Sequence, residues 1–181
     1  MLNRRVIALG LLGSLIGPLV GCMSQPLRPV NADGTYCFTV KNMSRFKICT
    51  PEPVPAPAVE AEVKRFEPDP EALTLYVVRK RWADSVNLVA VSLDGHTPVT
   101  TIPASLIRAR LKPGEHRLAL KWDGRSTELM VSGSAGQVRF VELAGSAWAW
   151  GSAYRWDTGS AESLQQLASS AKLIADLDLR R

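Results

Sequence analysis

The stretch IRARLKPGEHRLALKWDG, residues 107–124, decides the fold. Ile107, Ala109 and Leu111 alternate with Arg108, Arg110 and Lys112, the period of a strand with one dry face and one wet face. Lys112-Pro113-Gly114-Glu115 reads as a type II turn, because Pro presets the first central position and Gly supplies the positive φ of the second. The chain then returns with His116, Leu118, Leu120 and Trp122 inward and Arg117 and Lys121 outward. Asp123-Gly124 turns it once more. The stretch predicts a half-buried hairpin with one apolar and one basic side.

The same grammar extends in both directions. Leu73, Leu75 and Val77 share a face. The apolar run Val86 to Leu93 ends at the turn dipeptide Asp94-Gly95. His96 to Pro103 returns as an edge or irregular strand, since Pro98 and Pro103 cannot donate to a ladder. Downstream come Leu129 and Val131, a loop over Ser132–Gly136, Val138 to Leu143, and Ala147 to Trp156. In this last segment Trp148, Trp150, Tyr154 and Trp156 fall on one face. Ser160 then caps a helix whose Leu164, Leu167, Ala168, Ala171, Ile174 and Ala175 form one apolar stripe. Short strands at regular spacing with turns between them predict a mainly β fold. The expected architecture is an antiparallel β-sandwich of about seven or eight strands, with a C-terminal amphipathic helix packed on it, over residues 73–181.

Upstream, Pro51, Pro53, Pro55 and Pro57 mark residues 51–72 as a proline-rich spacer, stiff where it adopts polyproline II geometry. A short helix is expected over Ala58 to Phe66, ended by Pro68 and Pro70. Residues 36–50 fold about Asn42-Met43-Ser44 into a hairpin that sets Phe38 opposite Ile48 and Cys37 opposite Cys49. Directly opposite positions of an antiparallel pair suit a disulfide. Two unrelated buried thiols are the alternative. A metal site is not indicated, because the two cysteines are far apart in sequence and the chain has two histidines.

The N-terminus decides the compartment. Arg4-Arg5 precedes the apolar run Val6–Val20, 15 residues long, shorter than the ~20 that cross a bilayer. Leu19-Val20-Gly21-Cys22 closes the run and resembles a bacterial lipobox. The resemblance implies diacylglycerol on the Cys22 thiol, cleavage after Gly21 and acylation of the new amine, which together give stable anchoring. Met23, rather than Asp, implies sorting to the outer membrane. Residues 1–21 are then a signal peptide and residues 22–35 a tether; an ordinary secretory signal with a chance cysteine, or a short uncleaved anchor, is the alternative. Cleavage leaves 160 of the 181 residues and lowers the formal charge from +5 to +3 through loss of Arg4 and Arg5. That balance, like the compartment, argues against nucleic acid. In an oxidising compartment the two cysteines besides Cys22 are a natural pair.

A strand into Leu93-Asp94-Gly95, another into Leu111-Lys112-Pro113-Gly114-Glu115-His116, then Gly136-Gln137-Val138-Arg139-Phe140-Val141-Glu142-Leu143 and a terminal helix carry a family likeness. The order resembles a family of bacterial lipoproteins with a domain of unknown function, and the Pro-Gly-Glu-His turn resembles PEGA-type and transthyretin-like small sandwiches. The resemblance covers about Leu73 to Leu177. It implies a fold and no catalytic or binding residue.

Two surfaces are candidates for binding. One is basic: Arg108, Arg110, Lys112, Arg117 and Lys121, with Arg79, Lys80 and Arg81 near. It would meet anionic lipid, acidic glycan or an acidic envelope protein; a merely solvated face is the alternative. The other is the aromatic strand with Trp148, Trp150 and Trp156, a platform for a sugar or small ligand if exposed and core if covered. His116 is in phase with the inward residues and reads as a packed histidine. His96 reads as exposed, and Asp94 and Asp123 as turn residues. No hydrolase motif, phosphate-binding glycine loop or cofactor signature occurs. The expectation is a non-enzymatic lipoprotein on the periplasmic face of the outer membrane. It would act as an interaction or envelope-structural module without a cofactor. A glycan- or ligand-binding module is the second reading and a hydrolase the third.

Overall fold

The computed structural model describes residues 29–39, 47–80, 87–148 and 151–181. The side chains of Ala147 and Trp148 lie outside that description, as do the expected lipidation site Cys22, the hairpin tip with Val40 and Phe46, Arg81 and Trp150. The described chain is mainly β, with 11 strands and two helices.

Three sheets are present. The hairpin β1 (Cys37–Thr39) and β2 (Lys47–Cys49) stands by itself. A five-stranded sheet has the order β10-β9-β3-β6-β11, formed by β3 (Leu73–Arg79), β6 (Ser105–Leu111), β9 (Val138–Trp148), β10 (Gly151–Asp157) and β11 (Lys172–Leu179). A four-stranded sheet has the order β5-β4-β7-β8, formed by β4 (Val89–Leu93), β5 (Val99–Thr101), β7 (Gly114–Trp122) and β8 (Arg125–Gly133). The two larger sheets share one apolar cluster. Leu73, Leu75, Val77, Ile107, Ala109 and Leu111 enter it from one side, Val89, Val91, Leu93, Leu118, Leu120 and Trp122 from the other. Each Val, Leu or Ile among them, fully withdrawn from water, contributes roughly 1.5–3 kcal/mol. Gly133 lets β8 approach β3, because a Cβ there would sit 2.4 Å from Leu73 Cδ1.

The opposite face of the five-stranded sheet is also covered. Helix α1 (Pro57–Val63) and helix α2 (Ala161–Ser170) lie on it, burying Val63, Leu164 and Ala168 against Tyr76, Val78, Leu106 and Leu173. Every residue of β3 is therefore buried, as expected for a strand covered on both faces. Phe66 closes this layer. Its ring meets Tyr76 at 5.1 Å and Phe140 at 5.5 Å, edge to face, while Tyr76 stacks on Phe140 at 5.0 Å. The Tyr76 hydroxyl donates to the Val63 carbonyl at 3.1 Å. Burial pushes its pKa up to about 12.

Strands β1 and β2 pair in the expected register, with Cys37 opposite Cys49 and Phe38 opposite Ile48. Cys37 and Cys49 are disulfide-bonded, their Cα atoms 4.0 Å apart. Tyr36 and Phe38 pack on Ile102.

Four expectations are corrected. The sheets are not wholly antiparallel: β3 pairs with β9, and β6 with β11, in parallel. Residues 107–124 do not form one hairpin, because β6 and β7 belong to different sheets; the Pro113-Gly114 turn carries the chain from one to the other, with Gly114 at φ 144°. The aromatic segment 147–156 is not one strand, since β9 ends at Trp148 and β10 begins at Gly151. Finally, the C-terminal helix is short and is not the last element. Ser160 caps α2 by accepting from Ser163 N, but Ala171 is already extended at ψ 155°. The Lys172 amide then donates to the Ala104 carbonyl at 2.8 Å and opens β11. Sheet pairing wins over a helical stripe because Leu173 and Ile174 bury as strand residues and the β6 edge would otherwise carry unpaired amides.

Residues 51–72 are more than a spacer. Pro57 occupies the first turn of α1, where its missing N–H costs nothing. Val54 packs on both the central cluster and the hairpin cluster.

Candidate functional site

The expected basic side of residues 107–124 divides between opposite faces of the molecule. Arg108 and Arg110 point from β6 toward the helix layer, while Arg117 and Lys121 point from β7 away from it, as the burial pattern of each strand requires. Arg108 is 5% exposed and clamped by two carboxylates. Its Nε and Nη2 donate to Asp176 at 2.8 Å each, and its Nη1 and Nη2 donate to Glu62 at 2.7 and 3.0 Å. The Asp176 hydrogen bond is the first of the interactions that hold its guanidinium well above the ordinary arginine range. The Arg108 hydrogen bond holds Glu62 below the ordinary glutamate range. Arg110 meets Asp178 at 3.8 Å and Arg117 meets Glu128 at 3.6 Å. Sequence reasoning counted the cations and missed the acids that neutralise them. The signal was present in Asp176 and Asp178, spaced by two like Arg108 and Arg110, which β11 and β6 bring into register.

Beside this network Glu60, 8% exposed, receives Lys172 Nζ, Lys64 Nζ at 2.8 Å and the Leu173 amide at 3.2 Å. Burial opposes its charge, but the Lys172 and Lys64 hydrogen bonds outweigh it and hold the carboxyl below its usual range. Lys172 in turn lies 5.9 Å from the Tyr36 ring. The charged layer fastens α1, β11 and the disulfide-bearing segment together.

His116 is inward as expected, 9% exposed. Its Nε2 donates to the Lys112 carbonyl at 2.7 Å and its Nδ1 meets Asp94 Oδ2 at 2.7 Å. Asp94 Oδ1 accepts from the Arg117 amide at 2.8 Å. Burial works against the Asp94 charge, yet these hydrogen bonds keep its carboxyl below the usual range. With both ring nitrogens engaged, His116 ties the β4–β5 turn to the start of β7 and offers no free nitrogen to a substrate. Among the described residues no cluster of His, Cys, Asp or Glu is placed to hold a metal ion.

Of the aromatic strand, Tyr154 is 5% exposed and sits edge to face on Trp122 at 5.2 Å. The Arg79 guanidinium lies 5.5 Å from its ring. Arg79 is itself buried; it donates to the Thr101 carbonyl at 2.7 Å and the Asn87 carbonyl at 2.7 Å. Trp156 is half-buried against the central cluster.

Among the described residues, two of the surface hollows lie at the ends of the sheets. One, of about 390 Å³, is lined by Glu71, Lys112, Pro113, Asp178, Arg180 and Arg181. Arg180 there is committed to Asp69 at 3.1 Å and to Asp178 at 2.6 Å. The other, of about 600 Å³, lies where the β7–β8 turn meets Leu88, over Ala90, Thr100, Lys121 and Arg125.

No protein-family model matches the chain, and no curated protein matches it. Among the described residues no helix is long and apolar enough to cross a membrane.

Proposed function

We propose that the protein is a lipid-anchored envelope module: a folded body held at the periplasmic face of the outer membrane by acylated Cys22, acting through non-covalent contacts rather than catalysis. The reading rests on Leu19-Val20-Gly21-Cys22 behind a short apolar run. The Cys37–Cys49 disulfide supports it, since such bonds persist in oxidising compartments. The fold this reading favours is a two-sheet sandwich with helices on one face, akin to the small sandwiches of bacterial lipoproteins. Engagement of both His116 nitrogens favours a structural role for the one buried histidine among the described residues. The burial of Tyr154 and half-burial of Trp156 favour core over platform. The test is fractionation. The native chain should be found in the membrane fraction and resist high salt, whereas Cys22→Ser should leave it or retain residues 1–21. Equal partitioning of both forms, with residues 1–21 removed from each, would refute the anchor.

A further inference from the structure

We propose that the end of the molecule carrying Leu88, Lys121 and Arg125 rests on an anionic bilayer surface; the proposal builds on the anchored reading above. Position supplies the first argument. Val89 pairs with Thr101, which sets Leu88 beside Ile102. Ile102 is buried under Tyr36 and Phe38 of the disulfide-bearing segment. The described chain begins at residue 29, and Asn31 donates to Cys37 Sγ at 3.1 Å. Seven Cα steps separate residues 22 and 29, a reach of at most about 25 Å. An acylated Cys22 therefore holds this end of the sheets close to the bilayer and raises its effective concentration there.

Chemistry supplies the second. Leu88 is 52% exposed, a large apolar side chain left in water. Around it Lys121 and Arg125 are exposed and have no ion-pair partner among the described residues, and Thr100 and Ser126 add hydroxyls. Asp123 is the one acid lining this hollow. Lys80, which follows β3 at the same end, is exposed as well. An apolar side chain ringed by free cations suits the boundary between headgroups and acyl chains. The cations act over about a Debye length, ~8 Å at physiological salt, within reach of phosphate once the tether has brought them down.

The test uses the full acylated chain, in which Leu88→Cys supplies the single free thiol. It is labelled with an environment-sensitive dye and reconstituted into vesicles of phosphatidylcholine with or without phosphatidylglycerol. Met130→Cys, also 52% exposed but toward the other end of β8, is the control. The dye at position 88 should shift to the blue and be protected several-fold from aqueous iodide in the anionic vesicles, and much less in phosphatidylcholine alone. The dye at position 130 should stay wet in both. Lys121→Glu with Arg125→Glu should abolish the protection at 88. Protein that floats with the vesicles but leaves position 88 wet overturns this docking while the anchor stands. Protein that floats with neither vesicle refutes the anchor, and the docking with it.

Discussion

Arg108 shows how far a residue's role depends on what folds back against it. In sequence it is one of five cations over residues 108–121; in the structure it is a buried junction between Glu62 of α1 and Asp176 of β11. Removing one partner of a buried pair strands the others, so Arg108→Ala should lower unfolding stability by roughly 2–4 kcal/mol in a urea titration. Arg108→Lys should rescue little, because a point charge cannot serve two carboxylates through a planar fork. A loss below about 0.5 kcal/mol would show that the site is solvated rather than buried. Glu60, with Glu62 and Asp94, contributes to the pH dependence. Its pKa is lowered in the folded chain, so its contribution is complete above the unfolded value, about 4.3, and is lost as pH falls through the folded value. Thermal melts of the native chain should therefore drop steeply below pH 4.5, and Glu60→Gln should flatten that acid limb while lowering stability at neutral pH. An unchanged limb would contradict the assignment.

At the scale of elements, what the sequence revealed was local. The hairpin register of residues 36–50 follows from the placement of two cysteines about a turn, and the observed pairing of Cys37 with Cys49 agrees. The Asp123-Gly124 turn likewise joins Trp122 to Arg125 directly. What stayed hidden was non-local. Nothing near Leu73 announces that β3 will pair in parallel with β9, more than sixty residues on. Residues Ala171 to Ala175 satisfy a helical stripe and a strand alternation equally, and only the waiting edge of β6 decides between them. The division of the candidate basic face was hidden for the same reason, because it depends on which sheet each strand joins. The disulfide is the element whose energetic role is most direct. Replacing Cys37 and Cys49 together with Ser should cost about 2–3 kcal/mol by loop-closure entropy. Hydrogen exchange should rise first in the hairpin and at Ile102, against which it packs. Uniform exchange across the whole body would mean that the hairpin is not a separable clasp.

At the scale of the whole molecule, the two outer faces are unequal. One is sealed by α1, α2 and a charged layer, and Tyr36 and Phe38 pack at Ile102. The other, the outer face of the four-stranded sheet, carries Leu88 and Met130, the exposed large hydrophobics of the described chain. Under the proposed anchor, a body built this way presents one sheet face and one end to its surroundings. The account depends on that anchor. The most direct test is mass spectrometry of the N-terminal tryptic peptide from protein extracted from membranes. After reduction of the disulfide, the account predicts a peptide that begins at Cys22, runs through the uncut Arg28-Pro29 bond to Lys41 and carries a diacylglycerol and an amine-linked acyl chain. An unmodified Cys22 with residues 1–21 still attached would contradict it.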